Sequence, residues 1–104
     1  MATINEDGVE IGMVCCYGCW TDRNGAKVIH VTKKTFTVQE LTRGKNKRPW
    51  PDQDWEVEDR TCGAEIIVRK NKHGKFVNGC YSFSKPWFMP KENWGHLFYV
   101  DPSF

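Results

Sequence analysis

The sequence predicts an all-β fold closed into one small barrel, and three observations carry that reading. Val, Ile, Thr, Tyr, Phe and Trp total 35 of the 104 residues, whereas Ala, Leu, Met, Gln and Glu total 17. Branched and aromatic side chains suit a pleated, half-buried surface, and the best helix formers are scarce. Apolar residues also alternate with polar ones in two stretches, each broken by a turn. Finally, 104 residues is the length of one domain, here a single barrel over 1–104.

The elements follow in chain order. Val9 to Trp20 holds one or two short strands interrupted by Gly12 and Gly18. Asn24-Gly25 signals a turn, after which Lys27 to Thr32 reads as a strand. Lys33-Lys34 connects it to a second strand, Thr35 to Leu41. Paired antiparallel, they place Ile29, Val31, Phe36 and Val38 on one face and His30, Thr37 and Gln39 on the other. From Arg43 the alternation stops. A basic run, Pro49-Trp50-Pro51 and an acidic run predict a surface loop to Asp59, with at most a strand at Trp55 to Val57.

Alternation returns at Ala64 to Lys70, turns at Asn71-Lys72-His73-Gly74 and continues from Lys75 to Gly79, a second hairpin that Tyr81 to Phe83 extends. Pro86 and Pro90 predict a loop, followed by at most one helical turn around Lys91 to Trp94. Leu97 to Val100 reads as a last short strand. Five to seven short antiparallel strands with long loops fit a barrel of SH3-like size.

Charge and hydropathy exclude several function classes. Fifteen Lys and Arg against thirteen Asp and Glu give a net charge of +2, which by itself implies no nucleic-acid partner. No stretch approaches the roughly 18 apolar residues that span a bilayer, so no membrane partner is expected. Met1 to Gly12 carries Glu6, Asp7 and Glu10 without a basic residue or apolar run, unlike a signal peptide, and a cytoplasmic protein is expected. No Ser-His-Asp order, glycine-rich phosphate loop, His-Glu-x-x-His or close carboxylate pair in an apolar setting is present. A non-catalytic role is the expectation.

Five cysteines are many for a cytosolic chain, where disulfides are disfavoured. One reading is a structural zinc site. Cys16 and Cys19 have Cys-x-x-Cys spacing, Gly18 supplies a permissive backbone, and Cys62 and Cys80 flank the second hairpin. With the hairpin turning near Lys72-His73, Cys80 falls across from about Ile66, and the chain must curl at Gly63 to bring Cys62 in. The other reading makes each cysteine a small buried hydrophobe.

Five tryptophans exceed what a core of this size requires. Trp20 and Trp55 read as core. Trp50, between two prolines, and Trp87-Phe88, between Pro86 and Pro90, fall on predicted loops. There they either anchor a partner or fold back to plug the barrel ends. Arg43, Lys45, Lys47 and Arg48, with a second cluster at Arg69, Lys70, Lys72 and Lys75, could line a phosphate backbone. Asp52, Asp54, Glu56, Glu58 and Asp59 follow the first run at once, so a solvated mixed-charge loop competes with that reading. The acids Asp52, Asp54 and Glu56 could themselves mimic nucleic acid toward a basic protein partner.

Several fragments in this order resemble a known group. Trp20-Thr21-Asp22-Arg23 opens a hairpin running to Thr37-Val38-Gln39. Gln53-Asp54-Trp55, Arg69-Lys70-Asn71, Gly74-Lys75 and Tyr99-Val100-Asp101-Pro102-Ser103-Phe104 follow. The chain is similar over Trp20 to Phe104 to small SH3-like β-barrel proteins of bacteriophages and prophages, whose function is unassigned. The resemblance implies a phage-encoded accessory protein working in the cytoplasm of the bacterial host, and it brings no catalytic residues. Lys33-Lys34 stands where the group turns through a glycine. The Cys15 to Cys19 cluster and Ser84 to Trp94 lie outside the shared pattern.

The expected function is therefore binding to a host protein or nucleoprotein, as a monomer or small homo-oligomer, to inhibit or redirect it. Its most concrete form is an anti-CRISPR-like inhibitor of a bacterial defence nuclease. The candidate partner surface is Trp50, Asp52, Asp54, Glu56, Trp87 and Phe88. The alternative is a nucleic-acid-binding barrel that uses Arg43, Lys45, Lys47 and Arg48.

Overall fold

Six antiparallel strands follow one another around a closed barrel in chain order. The computed structural model describes residues 4–18, 23–48 and 52–99. Strand β1 (Val14–Gly18) pairs with β2 (Asn24–Val31), β2 with β3 (Thr35–Asn46), and β3 with β4 (Trp55–Lys70). Next come β5 (Phe76–Asn78) and β6 (Tyr81–Phe83), and β6 returns to β1 through Tyr17↔Phe83 and Gly18↔Ser82. A 3-10 helix, Lys91–Leu97, follows. This is the all-β architecture of a small SH3-like barrel. No helix among the described residues is long and apolar enough to cross a membrane.

The barrel interior is filled by Cys15, Tyr17, Ala26, Val28, Val31, Phe36, Val38, Val68 and Phe83, with Val9 packed into the same cluster. Phe36 and Val38 face inward as the alternation of β3 predicts. Ile29 does not. The register shifts between Val28 and His30, so one extra residue enters β2 and Val28, not Ile29, fills the core. The sequence shows two candidate apolar residues side by side, and only the cross-strand pairing Val28↔Val38 decides between them. Tyr17 stacks on Phe83 at 5.3 Å and donates its hydroxyl to Glu40 Oε1 at 2.7 Å. Burial and that carboxylate both hold the phenol well above its ordinary titration range.

The predicted loop from Arg43 to Asp59 is largely strand. β3 and β4 run on past the barrel as a hairpin arm, with Thr42↔Glu58, Arg43↔Val57 and Asn46↔Trp55 as partners. Asn46 organises its end, donating Nδ2 to the Asp52 carbonyl at 2.6 Å and accepting from the Asp54 N–H at 2.8 Å. The strand is hidden in the sequence because charged side chains line its exposed face, with Glu56 and Glu58 alternating with Trp55 and Val57. One face is nevertheless covered. Leu41, Trp55 and Val57 of the arm pack with Val14 and with Trp94, Leu97 and Phe98 from the helical segment into a second core.

That second core depends on two close approaches. An ideal Cβ on Gly95 would press into the Trp55 carbonyl oxygen and come within 2.7 Å of Asp54 Oδ1. One on Gly25 would meet the Leu97 side chain at 2.8 Å. Neither glycine has positive φ, so both are needed for space rather than for an unusual backbone.

Smaller departures have similar causes. The second hairpin turns at Asn71 to Lys75, where Asn71 Oδ1 accepts from the His73 and Lys75 N–H groups at 2.9 and 3.0 Å. β5 then ends at Asn78, and Gly79, at φ 58°, turns the chain into β6 as a separate strand. Cys80 therefore sits in a turn rather than across from Ile66. The helical segment is longer than one turn and takes in Leu97, leaving Tyr99 a single bridge to Arg23 in place of a last strand. Val100 and Trp20 lie outside the described residues.

Candidate partner-binding surface

After β6 the chain does not wander. Two prolines, Pro86 and Pro90, remove backbone donors and prevent a regular strand, yet the remaining groups pin Ser84 to Met89 along β1. The Ser84 N–H donates to the Cys16 carbonyl at 2.9 Å, and Ser84 Oγ accepts from the Cys16 N–H at 3.0 Å. Trp87 and Val14 exchange both backbone bonds, at 3.0 and 2.9 Å. Trp94 Nε1 donates to the Met89 carbonyl at 3.0 Å and ties the far end to the helical segment. Met89 turns into the second core, while Pro86 is buried.

Held this way, the strap presents two large apolar side chains to water. Phe88 is 59% exposed and Trp87 36%. The Phe88 ring lies against Gly12, 3.7 Å from where a Cβ would stand. Beside Gly12 is Ile11, 45% exposed, and Ile4 is bridged to Glu10 in the same N-terminal turn. Neither isoleucine stands out in the sequence, since each is isolated among polar residues. Trp87 and Phe88 are not folded back as plugs. A fixed backbone bearing exposed aromatic rings can bind a complementary apolar surface at little ordering cost.

The acidic candidates have a different setting. Asp54 lies 3.7 Å from Lys47 Nζ and 4.0 Å from Arg48 Nε, and Asp59 meets Lys27 Nζ at 2.7 Å and Lys91 Nζ at 2.9 Å. The hydrogen bonds from both lysines hold the Asp59 carboxyl below its ordinary value. Asp52 and Glu56 are exposed, without an ion-pair partner among the described residues, and Trp50 lies outside those residues. The hairpin thus folds the basic run back beside the acidic run, and the charges interleave rather than segregate. Met89 and Trp55 share the second core, so the strap and the arm meet there.

The same folding-back engages the alternative nucleic-acid set. The Arg43 guanidinium stacks over the Trp55 ring at 4.2 Å, and Lys47 and Arg48 face Asp54. Of the four, Lys45 alone has no ion-pair or ring partner among the described residues.

The cysteines fall in three places. Cys15 is fully buried in the barrel, and Cys16, next to it on β1, packs against the second core. Cys62 is exposed on β4 opposite Glu40, and Cys80 is exposed in the β5–β6 turn. No three His, Cys, Asp or Glu side chains among the described residues are placed to hold a metal ion. Cys16, Cys62 and Cys80 therefore do not converge as the zinc reading requires, and Cys19 lies outside the described residues. Burial pushes the Cys15 thiol up to about 12, with Cys16 beside it adding to the shift. Burial also raises Cys16, opposed by the Arg23 charge. Cys62 and Cys80 are exposed, so we expect both to react with a thiol reagent at once at pH 8. Cys15 and Cys16 should react only when the protein unfolds, and peptide mapping after brief alkylation distinguishes the four sites. Rapid labelling of Cys15 in the folded protein would contradict the packing of the barrel.

The fold and the strap together define a small closed β-barrel that exposes an apolar surface at Trp87 and Phe88. No protein-family model matches the chain, no curated protein matches it, and no solved structure matches it.

Proposed function

We propose that the protein is a non-catalytic binding protein, encoded by a phage, which attaches to a host protein or nucleoprotein in the bacterial cytoplasm and inhibits or redirects it. Its most concrete form is an inhibitor of a bacterial defence nuclease, similar in role to anti-CRISPR proteins. The observation that supports binding is the strap, where Trp87 and Phe88 stand exposed on a backbone held by paired hydrogen bonds to β1. Aromatic residues at the centre of an apolar patch are the side chains that dominate binding energy when a partner covers them. The phage origin rests on the resemblance of the Trp20 to Phe104 fragments.

The test is functional. In bacteria that carry a nuclease-based defence, expression of the protein should raise the plating efficiency of a susceptible phage by at least about a hundredfold. Removing two buried interface aromatics costs about 2 kcal/mol or more each, so Trp87→Ala/Phe88→Ala should abolish most of that gain. Because Trp87 is only 36% exposed while Phe88 is 59% exposed, Phe88→Ala alone is the control, and it should lower protection with little change in melting temperature. Equal protection by the double variant would overturn the assignment of the surface. No protection against any nuclease-based defence would overturn the nuclease reading.

A further inference from the structure

At one end of the barrel, two turns that are far apart in sequence come together. Thr35 at the start of β3 pairs with Arg69 at the end of β4, so the β2–β3 turn and the β4–β5 turn are neighbours. Directly paired residues sit about 5 Å apart, so the two turns leave neighbouring strands side by side. They carry Lys33 and Lys34 on one side and Arg69, Lys70, Lys72 and Lys75 on the other, all exposed. His73 adds an exposed imidazole between Lys72 and Gly74.

Little opposes this charge. Among the described residues Glu6 and Asp7 reach this end, where the Glu6 N–H donates to the Lys33 carbonyl at 3.2 Å and Asp7 meets Lys70. Asp7 is taken up by Lys70 at 2.7 Å, and that contact raises the Lys70 pKa. The other five cations make no ion pair among the described residues, whereas the basic run on the arm is largely engaged.

Both turns are stiff. Thr32 and Thr35 share a hydroxyl–hydroxyl bond at 2.6 Å, and the Thr32 N–H donates to the Thr35 carbonyl at 2.9 Å. Asn71 closes the other turn with its side chain and with backbone bonds to Gly74 and Lys75 at 3.0 and 2.8 Å. The cations are thus displayed on a fixed frame rather than on a mobile tail. None of the exposed aromatic residues Tyr81, Trp87, Phe88 and Tyr99 belongs to either turn, so the surface offers charge without a stacking platform. That chemistry suits a duplex backbone rather than unstacked single-stranded bases.

We propose that the pole formed by Lys33, Lys34, Arg69, Lys72 and Lys75 binds the phosphate backbone of duplex nucleic acid without reading its sequence. The site shares no residue with the aromatic strap and does not depend on the function assigned to it.

The experiment is fluorescence anisotropy of the full chain with a labelled 20-bp DNA duplex of random sequence, between about 50 and 200 mM salt. Three to five neutralised phosphates should give a slope of log affinity against log salt of about −3 to −4.5. Lys33→Ala/Lys34→Ala/Lys72→Ala/Lys75→Ala should weaken binding at least about tenfold at 50 mM salt and flatten that slope, while Lys45→Ala leaves both unchanged. All four lysines are exposed turn residues, so an unchanged melting curve identifies a loss of contact rather than of fold. Absence of binding by the unaltered protein at 50 mM salt would overturn the proposal, as would a slope that the fourfold variant retains. Displacement of the duplex by an equal charge of polyglutamate peptide would also overturn it, in favour of an acidic protein partner. Loss of DNA binding by the fourfold variant with phage protection intact is the result expected of a pole that acts independently of the strap.

Discussion

Gly95→Ala is expected to lower the unfolding free energy by about 3 kcal/mol, near the top of the range for overpacked sites. The added methyl would press on the Trp55 carbonyl oxygen, with Asp54 Oδ1 at 2.7 Å and the Trp55 amide nitrogen at 2.9 Å on its other sides. Two of these three are backbone atoms of β4, so no side-chain rotation relieves the contact. The helical segment must lift, and Trp94, Leu97 and Phe98 lift with it from Leu41 and Val57. In a domain of this size such a loss lowers the thermal midpoint by roughly 15 °C, measurable by circular dichroism. Gly44→Ala is the milder comparison, since its nearest contact, the Glu56 Cβ, stands at 3.1 Å and asks for a shift of only a few tenths of an ångström, while Glu56 Oε2 at 3.2 Å can swing into water. A Gly95 variant that melts with the unaltered protein would mean that the helical segment does not pack on the arm.

Phe36→Ala should cost about 4 kcal/mol, the largest effect expected of a single truncation here. Phe36 is fully buried, lies edge-on to Phe76 with centroids 5.4 Å apart, and pairs with Val31 and Val68 from the strands on either side. Its removal takes away the apolar contacts of a whole ring and leaves a cavity that three strands border. Phe36→Leu should recover more than half of the loss, because it restores most of the volume. Urea unfolding of the pair measures both. Equal stability of the alanine variant and the unaltered protein would place the barrel core elsewhere.

The barrel itself was legible because β-branched and aromatic residues alternate where strands bury one face, as at Phe36 and Val38. What escaped the sequence has local physical causes. A bulge exchanged Ile29 for Val28, and both are equally apolar, so only the partner strand decides. The arm from Arg43 to Glu58 looks like a loop because its exposed face carries charge, and its covering comes from Trp94 to Phe98, more than thirty residues later. The strap at Trp87-Phe88 could be seen as aromatic residues between prolines, but its hydrogen bonds to Val14 and Cys16 could not. The basic pole needed the Thr35↔Arg69 pairing, which joins two lysine-bearing turns that the sequence presents separately. The cysteine spacing suggests a metal site because Cys-x-x-Cys is a ligand pattern, but whether Cys16, Cys62 and Cys80 come together depends on strand placement, and among the described residues they do not.

The central claim is that Phe88 and Trp87 touch a host protein, and site-directed photo-cross-linking tests it most directly. A benzophenone amino acid is placed at Phe88 in one protein and at the exposed Glu65 on β4 in another, and each is expressed in the bacterial host and irradiated. The account expects position 88 to yield one discrete cross-linked host protein that position 65 does not. Cross-links from position 65 to the same partner, or none from position 88 in cells where the protein protects the phage, would contradict it.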